Sequence, residues 1–75
     1  MTDAQIDNIF TYHAPVGDQV ERYQDLRDQA KAMAYMIQRA CPESREKSLA
    51  ITSLQQAIMW ANASIAINEA TPGPL

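Results

Sequence analysis

Cysteine occurs once in this chain, histidine once and glycine only twice. A single thiol excludes a disulfide within the chain, and Cys41 is expected to be a free thiol in a reducing cytoplasm. One His and one Cys do not make a closed four-ligand metal site. There is no Gly-rich phosphate loop, and no nucleophile stands with a base and an orienter. The chain is therefore read as no enzyme, with no catalytic residue, no metal ligand and no cofactor. An excess of positive charge is also missing. Six Lys and Arg face nine Asp and Glu, for a net charge of −3, so non-specific DNA or RNA binding has little electrostatic support. Charge of either sign is absent from residues 48 to 68, between Lys47 and Glu69.

What is there must be stabilised within 75 residues, one domain at most. Chains this small usually rely on disulfides, a metal or oligomerisation, and only the last remains. The uncharged segment is the natural surface for it. Ser48 to Asn68 is long enough to consider as a membrane span. However, it carries Thr52, Ser53, Gln55, Gln56, Asn62, Ser64 and Asn68, and adjacent glutamines are costly in hydrocarbon. No membrane span is expected. The N-terminus lacks the basic start and apolar core of a signal peptide.

Helical periodicity runs through the chain. Thr2-Asp3-Ala4-Gln5 predicts a capping box and a short helix to about Phe10, with Ile6, Ile9 and Phe10 as its apolar face. Pro15 keeps Ala14 out of helical geometry. A second helix is expected from about Asp18, its N-cap, to Ala40. Its predicted seam is Val16, Val20, Tyr23, Arg27, Ala30, Ala34, Ile37 and Cys41, widened by Leu26, Met33 and Ala40. Pro42 ends that helix. Ser44 caps a third, running to about Glu69, with the seam Ile51, Leu54, Ile58, Ala61, Ile65 and Asn68. The short connection at residues 41 to 44 folds helices two and three into an antiparallel hairpin. Met59, Trp60, Ala63 and Ile67 then form a second apolar face, read as a subunit interface. Residues 71–75 are expected to be a flexible tail after a single domain at 1–70.

Three features could carry binding. Tyr12-His13 precedes Pro15 in a loop, where an aromatic and an imidazole can stack on a base and donate to a phosphate; Tyr12 could equally plug the end of the hairpin. Arg27 and Lys31 lie four residues apart on one face. At a seam position, Arg27 needs an anionic ligand, an acidic residue such as Asp28 or Glu21 of a neighbouring chain, or room to snorkel into water. Asn62, a poor helix former between two alanines, is expected to hydrogen-bond across an interface and set register.

Tyr12-His13-Ala14-Pro15, Arg27 with Lys31, Cys41-Pro42 and Met59-Trp60-Ala61-Asn62-Ala63-Ser64-Ile65-Ala66 together resemble the small phage anti-CBASS sponges. Their hairpin domain is shared with phage sponges against the Thoeris system. The resemblance covers roughly residues 9 to 68. It implies an all-α fold, a short N-terminal helix followed by a long antiparallel helical hairpin, assembled into a homo-oligomer, a hexamer. It implies that cyclic dinucleotides such as cyclic GMP-AMP lie between subunits and are sequestered without degradation in the host cytoplasm. The ligand-binding residues it implies are Tyr12 and Arg27, with His13 beside the tyrosine and Lys31 as a second phosphate ligand. The interface expected from the residues is Met59, Trp60, Asn62, Ala63 and Ile67. Relatives often carry an arginine where Ile67 stands, and it helps a separate pocket hold cyclic trinucleotides. This chain departs from the pattern there. A sponge for cyclic ADP-ribose-type signals and a structural adaptor binding another protein remain alternatives.

Overall fold

A computed structural model describes residues 1–69. Among them there are three helices and no strand: α1 Asp3–Ile9, α2 Gln19–Ala40 and α3 Arg45–Asn68. The expected tail at 71–75 lies outside the described residues.

Local chemistry sets each start and stop. The Thr2 hydroxyl accepts from the Gln5 amide at 3.1 Å, while the Gln5 side chain accepts from the Thr2 amide at 2.7 Å. This is the expected capping box, and it satisfies two amides that a helix start leaves free. α2 ends at Ala40, with Cys41 extended (φ −112°, ψ 140°) ahead of Pro42. Ser44 opens α3 by accepting from the Lys47 amide at 3.1 Å. Asp18 stands at the N-cap of α2, but its side chain makes no capping bond. Its carboxylate turns to Arg22 instead, 3.1 Å from Nε.

α2 and α3 pack on each other, with the start of α2 beside the end of α3. Arg22 donates through both terminal nitrogens to the Glu69 carboxylate, one of them at 2.7 Å. The α2 seam differs from the expected one. Val16, Val20, Arg27 and Cys41 are exposed; Gln19, Tyr23, Leu26, Ala30, Ala34 and Ile37 face inward. The helix is rotated because Gln19 takes the buried position at its start. Its side chain accepts from the Val16 amide at 3.0 Å and donates to Glu69, so a polar residue is satisfied where a valine was expected. The α3 seam follows Ile51, Leu54, Ile58, Ala61 and Ile65, while Asn68 is exposed.

No hydrophobic side chain among the described residues is fully buried; the two buried residues are Gln19 and Lys47. Lys47 lies over the interhelical turn, its ammonium 2.6 Å from Glu43. The accessible surface of 6150 Å² exceeds the roughly 4,600 Å² of a compact chain of this mass. The radius of gyration, 16.1 Å, likewise exceeds the ~11 Å of a compact 75-residue domain. Phe10 and Trp60 are 83% and 75% exposed. No helix among the described residues is long and apolar enough to cross a membrane.

Candidate functional site

Four residues make just over one helical turn, so Arg27 and Lys31 stand above one another on α2. Because the seam runs through Leu26, both cations lie at the margin of the helix pair rather than inside it, and both are exposed. The expectation that Arg27 needs a partner because it occupies the seam is thereby corrected. Neither cation forms an ion pair among the described residues, unlike Arg22 and Lys47.

The two cations border a groove of about 400 Å³ between α2 and α3, within the roughly 300–1,000 Å³ of small-molecule sites. Ala30 and Ala34 keep the α2 wall low, and Ile51, Leu54 and Ile58 supply an apolar floor. The far wall is Gln55, Met59 and Asn62 of α3. The groove thus offers cations on one side and carboxamides on the other, above an apolar, half-buried surface. Such a surface suits a flat, anionic organic molecule that also carries hydrogen-bonding groups. Asn62 adds a particular feature: its Oδ1 is buried and has no hydrogen-bond partner among the described residues.

The loop pair sits elsewhere. Tyr12 lies between α1 and α2, 84% exposed, and does not line the groove. His13 is half-buried, its Nε2 2.8 Å from the carbonyl of Asn8, a bond that ties the loop back onto α1. One chain therefore brings Arg27, Lys31, Met59 and Asn62 together and leaves Tyr12 and His13 apart from them.

The other expected interface residues divide. Met59 and Trp60 are exposed, and Ala63 and Ile67 are half-buried. Ile67 faces α1: its carbonyl accepts from Asn8 Nδ2 at 3.1 Å, and it shares a hollow of about 200 Å³ with Met1, Gln5 and Ile9. Close by, the Arg22 guanidinium holds the Glu69 carboxyl at a pKa of about 2, with a lesser contribution from Gln19, and the same bonds push the guanidinium upward. Gln55 and the Arg22–Glu69 pair were not singled out from the sequence. Gln55, Met59 and Asn62 follow the same four-and-three spacing as the seam, and that spacing was the available signal.

The family model for the Acb2/Tad1 hairpin domain matches residues 2–66. The chain belongs to the Acb2/Tad1 hairpin-domain family. This is the family of anti-CBASS and anti-Thoeris sponges, phage anti-defence domains not known as catalytic. No curated protein and no solved structure gives a significant match to the chain. In this Acb2/Tad1 hairpin domain, Arg27 and Lys31 stand without an ion pair among the described residues beside an apolar floor.

Proposed function

We propose that this chain is a sponge for cyclic dinucleotides such as cyclic GMP-AMP, acting in the cytoplasm of an infected bacterium to block CBASS signalling. Its unit is an antiparallel helical hairpin carrying the short α1, and the working form is a homo-oligomer, a hexamer. The observation that carries the reading is the pairing of Arg27 with Lys31, free of ion pairs among the described residues, at the edge of an apolar groove. The guanidinium meets a phosphate with charge-assisted, forked bonds, and the ammonium adds a second point charge.

A single groove lacks a platform for the bases. Tyr12 is fully available in its loop, and from a second copy it would lie over the groove and stack on a base. A two-fold arrangement of copies then offers the cations and the tyrosine twice to a ligand that is itself nearly two-fold. His13, held by its bond to Asn8, fixes the loop that carries the tyrosine. Retention needs no chemistry, only enough tight sites to lower the free messenger.

Calorimetric titration with cyclic GMP-AMP, other cyclic dinucleotides, cyclic trinucleotides and cyclic ADP-ribose isomers tests this. Saturable binding of a cyclic dinucleotide, released unchanged when the protein is denatured, is expected. Binding restricted to a cyclic ADP-ribose isomer would move the protein to the Thoeris branch of the family. Silence across the panel would turn the exposed apolar surface into an adaptor for another protein. Tyr12→Ala is expected to weaken binding by the ~1–3 kcal/mol of a base–aromatic stack, with the mass of the assembly unchanged.

A further inference from the structure

Among the described residues, Asn62 is the groove side chain with a buried polar atom that has no hydrogen-bond partner. Its Oδ1 is buried and unpartnered among the described residues, although Arg27 and Lys31 border the same groove. A carbonyl oxygen shut away from water without a donor is a destabilising arrangement that most folds avoid. Gln55, two helical turns earlier on α3, lines the groove beside it. The carboxamide wall therefore faces the cations across the apolar floor, and it has donors and an acceptor with nothing yet to meet them.

We propose that Asn62, supported by Gln55, is the specificity-determining residue of this groove and that it reads adenine. The inference rests on the groove being the sponge's ligand site. A carboxamide is one acceptor beside two donors in a single plane. Adenine presents the complementary pair, an N6 amine that donates and an N7 that accepts, and Asn or Gln meets both at once. Guanine presents two acceptors on the same edge, N7 and O6, so one of them would face the Asn62 oxygen. The terminal amide torsion is broad and soft, so a part-turn about Cβ–Cγ sets the amide edge-on to the groove, where the adenine amine supplies the oxygen's missing donor and N7 accepts from Nδ2. The phosphates meet Arg27 and Lys31, and the base edge meets Asn62. The division leaves the cations indifferent to sequence and gives the amide the choice of base.

The test compares cyclic di-AMP with cyclic di-GMP by calorimetry on the wild-type protein, on Asn62→Leu and on Gln55→Met, with light-scattering mass as the control. Wild type is expected to favour the adenine ligand. Asn62→Leu is expected to lose on the order of tenfold for cyclic di-AMP, the lower part of the range for a two-bond base contact, with little change for cyclic di-GMP. Gln55→Met should narrow the preference in the same direction and by less. A wild-type preference for guanine, or an unchanged ratio in both variants, overturns the assignment and leaves the sponge standing. A fall in mass for Asn62→Leu with the base preference intact in Gln55→Met overturns it too, since the amide then serves subunit register. Silence of the wild-type protein with every cyclic dinucleotide removes the sponge reading itself, and the adenine assignment with it.

Discussion

Arg27 and Lys31 reach the groove margin for a reason that a count of polar and apolar positions hides. Their neighbour Leu26 takes the inward place, which leaves two cations side by side in water with no carboxylate paired to them among the described residues. Charge-assisted hydrogen bonds contribute about 1.5–3 kcal/mol each. Arg27→Ala is therefore expected to weaken dinucleotide binding at least about tenfold. Lys31→Ala should cost less, because an ammonium meets phosphate as a point charge and not as a fork. Titration at two salt concentrations checks both, since each loss should shrink as salt rises. The pair was legible in the sequence from its spacing, but the argument for it was misplaced, because Arg27 is exposed rather than buried. Asn62 was legible as an amide that needs a partner. Met59 was read beside it, and Gln55 carried the same signal in its spacing on α3 but was not singled out.

At the scale of the element, boundaries were the most readable part. Thr2, Pro42 and Ser44 act through local bonds within a few residues, and those bonds form where the sequence places them. The rotation of α2 was not readable, because it depends on Gln19 being satisfied by Val16 and by Glu69, fifty residues away. Glu69 also joins the start of α2 to the end of α3 through Arg22. Its carboxyl falls from an ordinary 4.5 to about 2 in the folded chain, mainly through the Arg22 bonds. A folded pKa below the unfolded one stabilises fully above pH 4.5 and is lost as the pH falls toward 2. The protection of the last turn of α3, its exchange taken relative to the intrinsic rate at each pH, should therefore fall across that window, and Glu69→Gln should flatten the dependence. Both groups are well exposed, so the contribution is modest and screened by salt. A last turn whose protection ignores both acid and the substitution would mean that α3 ends without help from this pair.

The whole molecule has surface to spare. Phe10, Trp60 and Met59 are exposed, and no hydrophobic side chain among the described residues is completely buried, which fits a unit that finishes its core against copies of itself. Trp60→Glu places a charge in the proposed contact and is expected to lower the mass in solution to that of smaller species. An unchanged mass would move the contact to another face. The sequence indicated this surplus, since one short partner cannot cover an uncharged stretch as long as residues 48 to 68. Only the first short helix could partner the face of Ile67 within the chain, and α1 does so there, with Asn8 bonding to the Ile67 backbone whatever side chain position 67 carries.

If the proposed oligomer is the working form, the thin interior of the described residues has a consequence in time. Where a protomer completes its packing only in company, folded material depends on how many copies are present, and dilution alone melts it. Early in an infection, with few copies made, such a protein would exist as loose chains with half-formed grooves. Past a threshold of synthesis, folding, assembly and capture capacity would appear together, so the protein's own dose would act as the switch.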